Sequence, residues 1–340
     1  MDGILNIDKP AGWTSHDVVA KLRGILGVKR VGHGGTLDPM ATGVLPVFVG
    51  RATRAVGHCE NADKEYIATL KLGLVTDTQD TTGTTLSESE ATVSAEELSE
   101  ALNKFKGPQK QVPPMYSAIK IEGRKLYELA RKGIEVSRPA RDINIHAIEL
   151  LEGEGADYII RVACSKGTYI RTLCHDIGAA LGCGAAMSAL RRTRAGSFTA
   201  QTAITLETLI AAAASKLELA ALLTPIDVMF AGYPQIKLDE EETRKYRHGV
   251  KLVLTNAPPP PSPGDPMPTA PPPPPRYVGA DVPGRPLVEL GSTGGCPPYP
   301  PTAPPPPVPD GTYRFYSDDG IFLMLGEVRD GAVSSITKFN

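Results

Sequence analysis

The prolines of this chain decide where regular structure can form. Of 32 prolines in 340 residues, 23 fall between residues 257 and 309, with runs at 258–261, 271–275 and 304–307. Proline donates no amide hydrogen and has a fixed φ, so such a stretch sustains neither a helix nor a strand ladder. Few large apolar side chains accompany it, and its composition predicts disorder or polyproline II, a linker or insertion without a core of its own. Folded structure must come from the residues before it and the short tail after it. No repeat of fixed period is present.

Before the insertion, helix and strand signals alternate. Thr14 and Asp17 make a capping box ahead of Val18, Leu22 and Ile25, which share one helical face, and Gly27 supplies a stop. Ser94 and Glu97 repeat the device before Leu98, Leu102 and Phe105, with Gly107-Pro108 ending the helix. Residues 66–72 alternate as a strand, with Tyr66, Ala68, Leu70 and Leu72 on one face and Thr69 and Lys71 on the other. Residues 157–164 alternate similarly, and Ile170, Leu173, Ile177 and Leu181 suit a helix closed by Gly182. Beyond the prolines, residues 312–339 read as short strands joined at Asp319-Gly320 and Asp330-Gly331, and with 233–254 they predict a small β-rich module. The class is α+β followed by a mostly β module.

Composition narrows the function without naming it. Hydrophobic residues make up 41% and charged residues 22%, as in an ordinary globular protein. The N-terminal residues lack the basic and apolar regions of a secretory signal, and the longest apolar candidate, 209–223, is broken by Lys216 and Glu218. A cytoplasmic protein with no membrane association is expected. The five cysteines are odd in number and contain no Cys-x-x-Cys pair, which argues against a disulfide framework and a metal site. A net charge of −2 gives no global pull toward nucleic acid, so any RNA site must rest on local clusters. Those occur at Lys29-Arg30, at Arg51 with Arg54, along Lys120, Arg124, Lys125, Arg131 and Lys132, and at Arg191-Arg192 with Arg194. A solvated face is the plainer reading of any one of them.

The densest unusual segment is GHGGTLDPMATG at 32–43. Glycines at this density let a backbone approach a ligand closely, and Pro39 fixes the chain beside Asp38. The segment can present one carboxylate rigidly from a loop; an Asp-Pro turn is the plain alternative. It lacks the Gly-Lys-Ser/Thr ending of a phosphate loop.

With further motifs in order, this segment resembles the catalytic motif of the TruB family of pseudouridine synthases. The others are GILNIDKPAG at 3–12, KEY at 64–66, TDTQD at 76–80, VPPMYSAIK at 112–120, SKGTYIR at 165–171 and LRR at 190–192. The resemblance implies a catalytic domain over 1–232, with a central mixed, mainly antiparallel sheet flanked by helices and an RNA-clamping insertion at 112–138. It implies a PUA-like RNA-binding domain over 233–340, interrupted at 257–309. The implied activity is isomerisation of uridine 55 in the T arm of tRNA to pseudouridine, with the base flipped out and no cofactor. Asp38 is the implied catalytic carboxylate, Arg171 its partner, and Tyr66 a stacking residue, with removal of the C5 proton left open as a second role and a core tyrosine as the plain alternative. His33 fills the space the base leaves, Tyr169 and Leu190 wall the pocket, and Asp80 orients the RNA; the plain alternatives are a structural histidine, core packing and a turn aspartate. Arg54, Lys64, Lys120, Arg124 and Lys125 are the implied RNA contacts. No metal and no protein partner are indicated, and a monomer is expected. Gly34 departs from the family pattern, where a small hydroxyl residue is common, as does Arg54, where lysine is. A tRNA-binding or folding factor, a guide-dependent relative and a carboxylate glycosidase are the competing readings.

Overall fold

The computed structural model describes residues 1–121, 123–254 and 308–339, so nearly all of the proline-rich stretch lies outside the described residues. The chain divides into two compact units, Met1–Met229 and Phe230–Asn340.

In the first unit the elements run β1 (Gly3–Lys9), α1 (Ser15–Leu26), β2 (Val31–His33), β3 (Thr42–Val49), α2 (Val56–Asn61), β4 (Lys64–Leu72), β5 (Leu74–Thr76) and β6 (Thr85–Glu88). They continue as α3 (Ala95–Lys104), β7 (Gly107–Gln111), β8 (Lys120–Ile121), β9 (Arg124–Lys125), α4 (Leu126–Ala130), β10 (Arg141–Glu154) and β11 (Asp157–Cys164). Then follow α5 (Ile170–Leu181), β12 (Ala185–Ala195), β13 (Phe198–Thr199), α6 (Leu206–Ala212) and α7 (Lys216–Ala221).

Among the described residues the main sheet has nine strands, with the path β1-β3-β12-β4-β11-β10-β7 and with β2 and β13 attached to β3 and β12. Its pairs are antiparallel except where β12 meets β3, with Arg191 opposite Thr42 and Arg192 opposite Gly43. The α+β class with a mixed, mainly antiparallel sheet is therefore observed. The core beneath the sheet joins Leu5, Val18, Leu22, Leu45, Leu70, Leu98, Ile160 and Ile177, all fully buried or nearly so. Each such side chain contributes about 1.5–3 kcal/mol by leaving water.

Local chemistry explains the element ends. Thr14 and Asp17 cap α1 reciprocally, and Gly27 ends it in the left-handed conformation that glycine adopts without a Cβ clash. Ser94 and Glu97 cap α3 in the same way. This helix stops at Lys104, earlier than Gly107-Pro108, because those two residues begin β7 and pair with Ile145 and Asn144 of β10. Strand β4 buries Tyr66, Ala68, Leu70 and Leu72 and leaves Thr69 half-exposed, following its two-residue period.

The second unit contains β14 (Gln235–Lys237), α8 (Glu240–Arg247), β15 (Gly311–Tyr316), β16 (Phe322–Arg329) and β17 (Ala332–Lys338). Its sheet runs β14-β15-β16-β17, with Asp330-Gly331 forming the two-residue β16–β17 turn. Val308, which lies inside the 257–309 stretch read from the sequence as a coreless insertion, packs with Leu252, Leu254, Phe315 and Met324 in this unit's core. A buried valine followed by a strand is part of the fold, whatever precedes it.

The close meeting of β3 and β12 demands glycine at position 43. Its φ is +98°, and a Cβ there would stand 2.2 Å from the Arg192 carbonyl oxygen. Gly43→Ala should therefore cost about 1–3 kcal/mol and lower the thermal midpoint by several degrees. Thermal unfolding followed by circular dichroism checks this; an unchanged midpoint contradicts it.

Candidate active site

Asp38 lies in the loop between β2 and β3, which is tied down at nearly every residue. The Gly34 amide donates to the Pro46 carbonyl at 2.8 Å, the Leu37 amide to the Ser15 hydroxyl at 2.9 Å, and the Ala41 amide to the Asp38 carbonyl at 3.1 Å. Two buried cations grip the rest of the loop. Lys9 is 0% exposed and donates to the carbonyls of Trp13 at 2.6 Å, Pro10 at 2.9 Å and Pro39 at 3.3 Å. Arg192 is 1% exposed and donates to Val44 at 2.7 Å, Gly35 at 3.0 Å and Thr36 at 3.5 Å. Carbonyl oxygens carry the partial negative charge that makes a buried cation tolerable. Burial still pulls the Lys9 ammonium down to about 8, with Asp38 pulling the other way.

The loop presents its carboxylate to Arg171, in the first turn of α5. Arg171 Nε is 3.0 Å from Asp38 Oδ2, and Nη2 donates to Oδ1 at 3.4 Å, a two-point grip that fixes the carboxylate plane. The remaining donors are also used. Nη1 donates to the Thr78 carbonyl at 3.0 Å and lies 3.5 Å from Asp80 Oδ2, while Nη2 donates to the Tyr116 carbonyl at 2.9 Å. The Arg171 side chain is 6% exposed and that of Asp38 37%, so the cation is enclosed and the anion faces outward.

Asp80 sits behind this pair. Its Oδ1 accepts from the Thr78 hydroxyl at 2.8 Å and from the Thr82 hydroxyl and amide at 2.6 and 3.0 Å, while Oδ2 faces Arg171. The turn and the ion pair are one arrangement: the carboxylate that closes its own loop also supports the guanidinium.

Tyr66 and Leu190 come from adjacent strands of the sheet, and Tyr66 is directly opposite Arg192. Both side chains are mostly buried. Burial pushes the Tyr66 phenol up, and Arg192 pulls it the other way. Tyr169 is half-buried immediately before α5. His33 ends β2, with its ring 5.3 Å from that of His16 in an edge arrangement. Burial brings the His33 imidazole down to about 4, which leaves it neutral at neutral pH.

Lys64, expected from the sequence among the RNA contacts, requires a correction. It is buried, and its ammonium donates to the carbonyls of Cys59, Glu60 and Ala62 at 3.1, 2.6 and 2.6 Å. These three bonds cap the end of α2 and occupy all three donors of an ammonium group. Arg54 is exposed in the single turn at Gly50–Ala55. Lys120 and Arg124 are exposed on the β8–β9 hairpin, and Lys125 donates to the Tyr127 hydroxyl at 3.2 Å.

The sequence reading passed over Lys9 and Arg192 as individual groups. Lys9 ends the almost wholly buried β1, and Arg192 occupies a buried position within β12 beside Arg191 and Arg194, so neither stands out by residue type. Among the described residues no cluster of three or more His, Cys, Asp or Glu could hold a metal ion. No helix among them is long and apolar enough to cross a membrane.

The fold that carries this site has counterparts in solved structures. The chain is similar to one in the crystal structure of a Cbf5-Nop10-Gar1 complex, with a TM-score of 0.64, 26% identity and coverage of 99% of this chain and 85% of that one. A chain in the structure of an H/ACA RNP bound to a substrate RNA containing 2′-deoxyuridine gives 0.63, 25% identity and the same coverages. The class is pseudouridine synthase, an isomerase. Residues 23–170 match the N-terminal domain of the TruB family pseudouridylate synthases and residues 171–231 the tRNA pseudouridylate synthase B C-terminal domain, and the chain belongs to the TruB family. It is 47% identical over 252 residues to the tRNA pseudouridine synthase B of Azoarcus sp. (strain BH72), covering 74% of this chain and 83% of that protein. The Clostridium tetani (strain Massachusetts / E88) protein of the same name is 47% identical over 253 residues, with coverages of 74% and 86%. The chemistry is tRNA pseudouridylation.

Gly34 stands in a tight space. A Cβ there would lie 2.6 Å from Cys59 Sγ and 2.8 Å from the Phe48 ring. Gly34→Ser should destabilise the first unit by about 1–3 kcal/mol through overpacking. Adding Cys59→Ala should recover part of the loss, as read by the thermal midpoints of the two variants; additive losses would contradict the shared space.

Proposed function

We propose that this chain converts uridine 55 in the T loop of tRNA to pseudouridine, with Asp38 as the essential carboxylate and the target base flipped out of the RNA. The observation that carries the reading is the two-point contact of Asp38 with Arg171, at 3.0 and 3.4 Å, a pair of which only the carboxylate is substantially exposed. The C1′–N1 glycosidic bond breaks, C5 bonds to C1′, the C5 proton leaves and N1 regains a proton. Substrate and product contain the same atoms, so no redox partner or energy donor enters the balance. Asp38 adds to C1′, adds to C6 of uracil, or removes a proton from the sugar. All three routes need an ionised carboxylate held at a fixed place, and positioning alone supplies several kcal/mol of the barrier reduction.

Arg171 holds that carboxylate and is supported from behind by Asp80. Asp80 thereby serves the RNA reaction through Arg171. Tyr66 stacks on the base, and its phenol, pushed up by burial, favours stacking over proton removal unless Arg192 stabilises its anion. Tyr169 and Leu190 wall the pocket. A base inside a folded loop must leave the stack before a carboxylate reaches it, and neutral His33 is suited to fill the space. Recognition rests on the shape and phosphates of the T arm, met by Arg54 and by Lys120, Arg124 and Lys125 on the clamp.

Asp38→Asn keeps the shape and loses the charge. It should form product at less than about a thousandth of the parent rate while RNA affinity is retained. The assay is tritium release from C5-labelled uridine in a T-arm hairpin with one uridine at position 55; a larger residual rate contradicts the assignment. Arg171→Lys retains charge but loses the planar fork, and its single-turnover rate should fall at least about tenfold, equivalent to roughly 1.4 kcal/mol. A smaller change in the same assay would show that the grip on Asp38 is not needed.

A further inference from the structure

The first turn of α5, which carries Arg171, has no side-chain cap of its own: Tyr169 is the N-cap residue and makes no capping bond. Its backbone is held instead by Gln111. The Tyr169 amide donates to Gln111 Oε1 at 2.8 Å, and Gln111 Nε2 donates to the Tyr169 carbonyl at 3.0 Å. That carbonyl also receives the first helical bond, from the Leu173 amide at 3.0 Å. Gln111 is 4% exposed. A buried amide that accepts from the Tyr169 N–H and donates to the Tyr169 carbonyl is a directional clamp, since an apolar residue of equal size would leave that N–H unpaired and the carbonyl with its helical bond alone.

The position of Gln111 in the chain gives the clamp a second connection. It is the last residue of β7 and pairs with Arg141, the first of β10, so the excursion bearing the basic hairpin leaves and rejoins the sheet at this pair. Five residues beyond Gln111, the Tyr116 carbonyl accepts from Arg171 Nη2 at 2.9 Å. The Ser117 carbonyl accepts from the Tyr127 amide at 3.1 Å, and the Ile119 carbonyl from Leu126 at 2.8 Å, which seats α4 on the same stem. The stem is thus pinned at Gln111 to the start of α5 and at Tyr116 to Arg171.

We propose that Gln111 is a positioning residue for the isomerisation: it fixes the start of α5, sets the place of Arg171, and ties the RNA-clamping stem to the Arg171–Asp38 pair. It acts on Asp38 through Arg171 and does not touch the RNA. This inference rests on the reading of Arg171 as the holder of Asp38.

The test uses the full chain with Gln111→Met, which keeps the volume and removes both bonds, and with Gln111→Glu. Misplacement of a catalytic group by about 1 Å can cost up to about a hundredfold. The Gln111→Met variant should lose about tenfold or more in single-turnover rate at saturating tRNA, with affinity within about twofold of the parent. The protein should remain folded at the assay temperature by circular dichroism. Gln111→Glu has a further signature. Its neutral carboxylic acid offers one donor and one acceptor, as the amide does, whereas its anion faces the Tyr169 carbonyl without a donor. Its rate relative to the parent should therefore rise as pH is lowered, while the relative rate of Gln111→Met stays flat. A Gln111→Met rate within about twofold of the parent overturns the inference. So does a loss confined to tRNA affinity, or a pH-independent Gln111→Glu defect. If Arg171→Lys is itself fully active, the reading beneath this one has failed; if Arg171→Lys is impaired and Gln111→Met is not, only the role of Gln111 has.

Discussion

The site depends on one buried guanidinium. Arg171 brings together groups distant in the chain: Asp38 from the glycine loop, Thr78 and Asp80 from the turn after β5, and Tyr116 from the excursion between β7 and β10. Removing a cation from water costs several kcal/mol, and only good geometry with satisfied donors offsets that cost. Here two carboxylates and two carbonyls supply it. The same rule applies on either side of Asp38, where Lys9 and Arg192 are stabilised by the carbonyls of the loops they hold. Arg171 orients the carboxylate proposed to react, and the other two buried cations set the backbone that carries it.

The division between held and exposed groups follows from the sheet. The parallel meeting of β3 and β12 sets Arg192 opposite Gly43, immediately after the loop, while the antiparallel β4–β12 pairing sets Tyr66 opposite Arg192. A single residue of β12 therefore stands between the loop with the carboxylate and the proposed stacking tyrosine. Gly43 is required because the backbones approach too closely for a Cβ. Register in the sheet is thus converted directly into the geometry of the site.

Much of this was legible in the sequence, for identifiable reasons. The α1 and α3 starts were readable because capping boxes are local, and β4 because its two-residue period is uninterrupted over Tyr66 to Leu72. The grouping of Asp38 with Arg171 came from family resemblance, since no local pattern links residues 133 apart in the chain. Lys64 was misread because its motif is adjacent to the site in sequence, while the direction of its side chain is set by the end of α2, which local pattern does not reveal. Lys9, Arg192 and Gln111 were missed for a related reason. Each acts by hydrogen bonds to backbone carbonyls or amides of other elements, and backbone groups leave no residue-type signature at the receiving end.

The central claim is that a planar guanidinium, rather than positive charge alone, organises Asp38. Chemical rescue tests it most directly: Arg171→Ala opens the space of the side chain, and single-turnover pseudouridine formation is measured with added ethylguanidinium or ethylammonium. The expected result is a severely slowed enzyme with saturable, partial recovery by ethylguanidinium and little by ethylammonium. Equal recovery by the two cations, or a near-parent rate with neither, would contradict it.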